Sequence, residues 1–355
     1  MIIQNASPNI KYKIQLDHIR ACGAFMVFTW HFLLINELTA ETPQIFLFPL
    51  SLLTEGHTGV TLFMTLSGYL FAKILIDKKI IFKYFFFNRV LRLLPLLSVT
   101  ILFLLYLKDE LSFYEYIKTM IMGFFNEWPG AAWSISVEFH FYYLLPFILY
   151  IFNLTKNYFV LILIFTIGLK LLMYSIDGTI QHYSYWKIIG HIDEFLLGML
   201  SYKYRNFIKD KKKLVLIVFV SFMIFYYYFE SKGGFFGYDS YPSTSIIWVL
   251  LPAIQGLSYA LLISYYDNNH FDFLTNKFSI FISKIGLFSY SIYLWHYLYV
   301  FDLAKIINKH LIYLDNIYIG ILLAVPCFLI TALIGWFSYY TIEKPFLKLR
   351  KKYIK

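Results

Sequence analysis

The sequence predicts an all-α, polytopic transmembrane helical bundle of about ten spans with both termini in the cytoplasm. Of its 355 residues, 59% are hydrophobic and only 15% are charged, and the mean hydropathy is +0.63. Apolar runs long enough to cross a bilayer recur along the whole chain, and basic residues concentrate in the short loops between them. A soluble domain of this length would need more charged surface. We therefore interpret residues 1–355 as a single membrane domain.

Ten apolar runs define the predicted spans. They cover residues 17–37, 57–77, 90–107, 134–152, 158–175, 183–203, 213–230, 246–266, 279–301 and 316–340. The stretch 113–125 is short and amphipathic, so we expect it to lie on the membrane surface. The loops 73–92 and 203–213 are rich in Lys and Arg and are both predicted to be cytoplasmic, which requires an even number of crossings between them. With both termini inside, 24 of the 31 Lys and Arg residues are cytoplasmic.

The first span carries two ionisable residues, Arg20 and His31. Eleven helical residues turn through about 1100°, so the two side chains lie within roughly 20° of each other and about 16 Å apart along the axis. Ionisable residues at membrane depth are costly and mark functional sites. Arg20 could instead be a topology anchor and His31 a hydrogen-bonded core residue. The shared helix face favours a functional pair.

The second span opens with small and polar residues, in the sequence GHTGVTLFMTLSGYL. Small side chains let two helices approach closely, so close packing is the favoured interpretation. The third span begins with Arg89 and Arg92, which lie on one helix face. Guanidinium groups bind phosphates through paired hydrogen bonds, so these residues beside Arg20 predict a cytoplasmic site for a polyphosphate. Simple positive-inside anchoring explains the two arginines equally well.

Titratable side chains recur in later spans, where they can act as acid, base or hydrogen-bond anchor. The candidates are Glu138 and His140 near the outer end of the fourth span, Asp193 and Glu194 near the middle of the sixth, Tyr290, Tyr293 and His296 on nearly one face of the ninth, and Glu343 at the end of the tenth. Glu138 or Glu194 could orient His31. Glu343 could pair with Arg89 or Arg92, in either a structural or a catalytic ion pair.

Taken in order, these motifs resemble acyltransferase family 3, membrane enzymes that modify sugars and other extracytoplasmic molecules. The matching pieces are Arg20 with His31, GVTLFMTLSGYL, Arg89 with Arg92, WSISVEFHFYYLLP, IDEFLLGM, SYSIYLWH and IEKPF. They extend from about residue 14 to 347, which is essentially the whole chain. Thr61 and Phe139 stand where many members carry Asp and Glu, and we interpret this as subfamily variation.

The resemblance implies an acyl-coenzyme A donor, most often acetyl-CoA, and a functional core in the first and third spans. It also implies an acceptor hydroxyl on an extracytoplasmic or lipid-linked sugar of a surface polysaccharide, such as O-antigen, capsule or exopolysaccharide, and a location in the inner or plasma membrane. The predicted catalytic residues are His31, Arg20 and Glu138, the donor-binding residues are Arg89, Arg92 and Arg20, and the acceptor or supporting residues are His140, Asp193, Glu194, Tyr290, Tyr293, His296 and Glu343. Some members append an extracytoplasmic esterase-like domain. Because this chain ends soon after Pro345, we expect the membrane domain to act alone or with a separate extracytoplasmic partner.

Several other classes of function can be weighed from the same residues. Basic residues confined to short loops do not indicate nucleic-acid binding. Cys22 and Cys327 lie in apolar spans without metal-ligand spacing, so no metal is predicted. Three alternatives stay open: a transporter or flippase for a lipid-linked sugar or organic anion, an enzyme acting on a lipid or small hydrophobic metabolite, and a structural subunit of a polysaccharide assembly complex. An acyltransferase, whichever its acceptor, changes the mass of that acceptor and releases coenzyme A thiol, which a transporter or a structural subunit does not.

Overall fold

The computed structural model describes residues 13–34, 48, 50–154, 156–237, 240–314 and 316–354, with the side chains of 152–159 left aside. Helices dominate these residues, and the β-pairing among them is one isolated antiparallel bridge, between Ile80 and Ile354. The predicted all-α class is confirmed.

The helices follow one another along the chain with short connections. They are α1 (Ile14–Leu33), α2 (Ser51–Thr54), α3 (Thr58–Leu75), α4 (Phe82–Leu107), α5 (Phe113–Met122), α6 (Trp133–Leu154), α7 (Lys156–Asp177), α8 (Gln181–Trp186), α9 (Ile188–Lys203), α10 (Arg205–Lys209), α11 (Lys212–Ser231), α12 (Ile247–Asn268), α13 (Lys277–Leu287), α14 (Ser289–His296), α15 (Val300–His310), α16 (Ile317–Ser338) and α17 (Lys344–Leu347). A π-helical turn, Tyr339–Glu343, joins the last two.

Seven stretches among the described residues are long and apolar enough to cross a membrane, and the bent pair of α13 and α14 gives an eighth if it counts as one span. The protein is therefore a multi-pass membrane protein. The other two predicted spans correspond to α1, which carries Asp17, His18 and Arg20, and to α9, which has 16 residues. The count of ten spans and the cytoplasmic termini stay predictions. With ten residues and a length of about 15 Å, α5 is too short to cross a bilayer core of about 30 Å.

Two predicted spans are not continuous helices. The sixth is broken at Lys187, whose backbone is extended (φ −114°, ψ 155°), between α8 and α9. The ninth is broken at Phe288 and bends by 57° between α13 and α14. An apolar run records which residues avoid water, and it does not record whether the helix is continuous through them. The predicted spans therefore did not indicate either break.

The third span also begins earlier than predicted. Helix α4 starts at Phe82, eight residues before the predicted start at residue 90. Arg89 and Arg92 therefore lie in the second and third turns of the helix and not at its beginning. Lys83 and the aromatic residues around it form a helical turn that an apolar-run criterion assigns to the loop.

Glycines bring three helices close together around α3. A Cβ atom at Gly59 would lie 2.7 Å from the carbonyl oxygen of Gly23 on α1. A Cβ atom at Gly68 would overlap the carbonyl group of Phe195 on α9, and one at Gly198 on α9 would overlap that of Thr65. The predicted close packing of the second span is thus present, and it brings α1 and α9 into contact with α3 beside the site.

Candidate active site

A cavity of about 270 Å³ lies between α1, α3, α4, α6, α14 and the π-helical turn, and we call it the central cavity. Seven of the predicted site residues line it: Arg20, Arg89, Arg92, Glu138, Tyr290, Tyr293 and Glu343. These residues come from five segments that are distant in sequence. The fold therefore brings both arginine motifs and the motifs of the fourth, ninth and tenth spans to one place.

Positive charge predominates in this cavity. Among the described residues, its lining includes five cationic side chains, Lys13, Arg20, Arg89, Arg92 and Arg350, and three carboxylates, Asp17, Glu138 and Glu343. Arg20 forms an ion pair with Asp17, which lies one turn earlier on α1 and is 3% exposed. A partly enclosed cavity with surplus positive charge favours an anionic ligand.

Aromatic rings hold the guanidinium of Arg89 in place. Its central carbon lies 5.4 Å from the ring centre of Phe71, 5.1 Å from that of Phe85 and 5.9 Å from that of Tyr142. Its Nε is buried and has no hydrogen-bond partner among the described residues. Cation–π contacts orient a guanidinium without using its N–H donors, so Arg89 keeps donors for a ligand.

Hydroxyl groups hold the two glutamates of the cavity. Glu138 accepts hydrogen bonds from the hydroxyl of Tyr142 and from Ser67, the latter at 3.4 Å. Glu343 accepts a hydrogen bond from Ser291, in place of the ion pair with Arg89 or Arg92 that the sequence suggested. Glu138 lies on the arginine side of the site and does not contact His31. The expectation that Glu138 orients His31 was wrong, because position within a span indicates depth but not the direction of the side chain.

The imidazole that contacts His31 belongs to His296. The Nδ1 of His31 and the Nε2 of His296 are 3.0 Å apart, and the Nδ1 of His296 lies 3.1 Å from the carbonyl oxygen of Ile292. Since a carbonyl only accepts, the Nδ1 of His296 must carry a hydrogen. In an uncharged His296 the Nε2 then accepts, so the Nδ1 of His31 donates. This arrangement leaves the Nε2 of His31 with a lone pair, which is the atom a base or nucleophile needs.

Tyr293 joins the central cavity to the histidine pair. It lines the cavity, and its ring centre is 5.7 Å from that of His296. Its hydroxyl accepts a hydrogen bond from Ser134 at 2.8 Å. His31 itself is not among the residues that line the cavity; it packs edge-on against Tyr297 and Phe301 at ring distances of 5.6 Å. The cavity and the histidines therefore share one wall.

Asp193 has a structural partner away from the cavity. It forms an ion pair with Lys170 on α7, and both side chains are 0% exposed. Thr166 donates a further hydrogen bond to Asp193 at 2.6 Å. The two helices are thus joined by a fully buried pair, which accounts for an aspartate at this depth without a catalytic role.

Glu194 and His140 also lie outside the cavity. Glu194 is hydrogen-bonded to His191 at 2.7 Å, one turn earlier on α9, so the prediction that it orients His31 was wrong as well. His140 donates through its Nε2 to the carbonyl oxygen of Phe124 at 3.0 Å. His140 and Glu138 stand two residues apart in the motif, so they project from nearly opposite faces of α6.

Several polar residues of the lining were missed from the sequence, and four of them matter most for its charge and its closure: Lys13, Asp17, Arg350 and Tyr353. Asp17 could have been found, because it stands three residues before Arg20 on the same helix face. The other three lie in basic segments at the two ends of the chain. The positive-inside rule accounts for basic residues in such segments, so their sequence gives no sign of a role in a site.

Comparison with known proteins assigns these features to a family. The profile of a family described as acyltransferase domain matches residues 13–340. The chain belongs to acyltransferase family 3. The match contains both arginine motifs, the two histidines and Glu138, whereas Glu343 lies just beyond its end.

Two curated relatives illustrate the likeness. The O-acetyltransferase OatA of Staphylococcus aureus strain NCTC 8325 / PS 47 is 28% identical over 345 residues, covering 84% of this chain and 53% of the relative. A putative O-acetyltransferase of Staphylococcus aureus strain MSSA476 is 25% identical over 399 residues, covering 96% of this chain and 58% of the relative. This family 3 chain thus spans little more than half the length of either relative. No solved structure matches it.

Proposed function

We propose that this protein is a membrane O-acyltransferase that moves an acyl group, most often acetyl, from cytoplasmic acyl-coenzyme A to a hydroxyl of an extracytoplasmic or lipid-linked sugar. One observation carries the proposal. A cavity rich in arginine shares the wall formed by Tyr293 with a hydrogen-bonded pair of histidines. A donor with a charged head and a reactive end needs both parts in one continuous site.

The donor occupies the central cavity in this proposal. The phosphates of coenzyme A bind Arg89 and Arg92, with Arg20 nearby, because guanidinium groups match phosphate oxygens in charge and geometry. The basic loops around these arginines support entry from the cytoplasm. The pantetheine arm extends past Tyr293 and presents the thioester to His31.

His31 performs the transfer by one of two routes. As a general base, its Nε2 takes the proton of the acceptor hydroxyl while that oxygen attacks the thioester carbonyl, and the C–S bond breaks. The departing thiolate then receives the proton, which regenerates neutral His31. As a nucleophile, the same Nε2 forms an acyl-imidazole and releases coenzyme A before the acceptor attacks. Both routes need the lone pair that the hydrogen bond to His296 places on Nε2.

The acceptor offers a hydroxyl oxygen in this proposal, in keeping with the names of the two relatives, which describe O-acetyl transfer. We favour a surface polysaccharide or its lipid-linked precursor, reached from the outer side of the membrane. A separate extracytoplasmic protein that completes the transfer belongs to the same proposal.

Purified protein in nanodiscs, supplied with acetyl-CoA and an envelope extract, tests the proposal. We expect release of free coenzyme A thiol together with an acetyl mass gain on the acceptor, and both should be lost in His31→Ala. His310→Ala, at an exposed histidine of α15, serves as the matched control and should keep both. If the parent protein gave no thiol and no acetylated product with any of several envelope extracts, the transporter alternative would be favoured.

A further inference from the structure

Residues 348–354 run back along the beginning of α4, and we call this segment the return strap. The backbone N–H of Ile81 donates to the carbonyl oxygen of Tyr353 at 2.8 Å. The side chain of Asn88 binds the backbone of Lys351 twice, donating to its carbonyl oxygen at 2.7 Å and accepting from its N–H at 2.9 Å. Together with the isolated bridge described above, these bonds fix the path of the strap across α4.

The strap contributes two side chains to the central cavity, Arg350 and Tyr353. Tyr353 is 1% exposed, and its ring centre is 5.6 Å from that of Phe85. Its hydroxyl lies close enough to the guanidinium of Arg89 to interact with it. Neither that hydroxyl nor the Nε of Arg89, both buried, has a partner of normal hydrogen-bond geometry within the described part of the chain. Buried donors are rarely left unpaired, so these two groups indicate a missing polar ligand.

Like charges crowd the strap arginine. Burial, followed by the positive charges of Arg92 and Arg89, lowers the pKa of the Arg350 guanidinium. Its Nε donates to the carbonyl oxygen of Leu347 at 2.9 Å, which orients the side chain. Three arginines from two segments that repel one another are stabilised when an anion with several charges binds among them.

We propose that Arg350 is a third phosphate-binding arginine of the central cavity, positioned by the return strap beside Arg89 and Arg92, and that the Tyr353 hydroxyl is a further donor to the same ligand. The inference rests on the proposed function, in which the ligand is coenzyme A. Coenzyme A carries a diphosphate and a separate 3′-phosphate, and two arginines one turn apart on α4 do not supply paired donors to all three phosphates. Arg20 is engaged in its ion pair with Asp17. An arginine from a separate segment supplies the remainder.

Binding measurements on the full chain in nanodiscs test this assignment, with coenzyme A and inorganic triphosphate as the two probes. Loss of a charge-assisted hydrogen bond weakens binding by about tenfold or more, and we expect this for Arg350→Gln with both probes. Lys352→Gln is the matched control, because it removes the same charge from an exposed strap position that does not line the cavity. Its dissociation constants should stay within about twofold of the parent values, since only long-range attraction changes.

Two further variants separate binding from folding. Tyr353→Phe keeps the ring against Phe85 and removes only the hydroxyl, so we expect about threefold weaker binding at an unchanged unfolding temperature. Arg350→Lys keeps the charge but not the paired donors, and its affinity should fall between those of the parent and Arg350→Gln. If Arg350→Gln fails to fold, the affinity of either of these two variants tests the assignment in its place.

The outcomes distinguish the strap from the donor. Equal affinities of Arg350→Gln and Lys352→Gln would overturn the strap assignment and leave coenzyme A as the donor. A parent protein that bound triphosphate but not coenzyme A would overturn the proposed donor, and the comparison of variants with triphosphate would still decide the strap. A parent protein that bound neither probe would overturn both.

Discussion

His31 and His296 are 265 positions apart in the chain, and the fold places their rings within one hydrogen bond. The carbonyl oxygen of Ile292 fixes the hydrogen on one nitrogen of His296, and this in turn fixes the hydrogen on His31. The reactive lone pair of His31 is thus determined by a backbone group on α14. His296 acts in our account as a positioning residue.

Replacement of His296 tests this role. We expect His296→Ala to lower kcat by about tenfold to a hundredfold with little change in the KM for acetyl-CoA, because the wrong tautomer of His31 becomes populated while the donor cavity is intact. His296→Gln, which can still accept from His31, should recover part of the loss. Steady-state kinetics of the two variants check the prediction, and a raised KM with normal kcat would contradict it.

Some features of the site were predictable at this scale and others were not. Arg20, Arg89 and Arg92 were expected to meet because the positive-inside rule assigns all three to one membrane side. The partner of His31 was not predictable, because Glu138, Glu194 and His296 all lie at suitable depths. The direction of each side chain around its helix decides between them, and one sequence does not give that direction.

At the scale of helices, the contact of α3 with α9 depends on glycine. An added methyl group at Gly68 would overlap the backbone of Phe195, which a side-chain movement cannot relieve. We expect Gly68→Ala to destabilise the protein by about 1–3 kcal/mol, the usual cost of overpacking. The measurement is the unfolding free energy in mixed detergent micelles.

Gly168 on α7 provides the matched control for this prediction. A Cβ atom there would meet no atom within 4 Å, so Gly168→Ala should be neutral or stabilising by up to about 1 kcal/mol through helix propensity. If both alanine variants had the same stability, the close packing of α3 on α9 would not describe the protein.

The buried pair of Lys170 and Asp193 gives a second test at this scale. Asp193→Ala leaves an unpaired charge in the core, and we expect a loss of about 3–5 kcal/mol in the unfolding free energy. The double variant Lys170→Met with Asp193→Leu should recover most of that stability and transfer acetyl groups at nearly the parent rate. If the double variant folded well but had no activity, Asp193 would have a catalytic role and this account of it would be wrong.

The breaks within the predicted sixth and ninth spans could not be predicted from the sequence. The residues of α13 and α14 form one apolar run, and nothing in that run announces a bend of 57° at Phe288. Close packing on another helix accompanies the bend, since a Cβ atom at Gly286 of α13 would overlap the backbone of Asp17 on α1. Tertiary contacts of this kind are absent from a hydropathy profile.

For the whole molecule, the helical membrane class followed from composition alone, because few soluble chains have so little charge. Sidedness followed from the distribution of Lys and Arg, and it is open to experiment. In a Cys22→Ala, Cys327→Ala background, we expect Lys118→Cys to react with a membrane-impermeant maleimide in intact cells. Lys352→Cys should react only after lysis. The reverse pattern would contradict the proposed direction of donor entry.

The central claim is that one continuous site contains arginines that bind the donor and a histidine pair that transfers its acyl group. The most direct test measures coenzyme A affinity and acetyl-transfer rate on the same nanodisc samples of the parent, His31→Ala and Arg92→Gln. The account predicts that His31→Ala binds coenzyme A like the parent but transfers nothing, whereas Arg92→Gln binds about tenfold more weakly. Full transfer by His31→Ala, or unchanged affinity in Arg92→Gln, would contradict it.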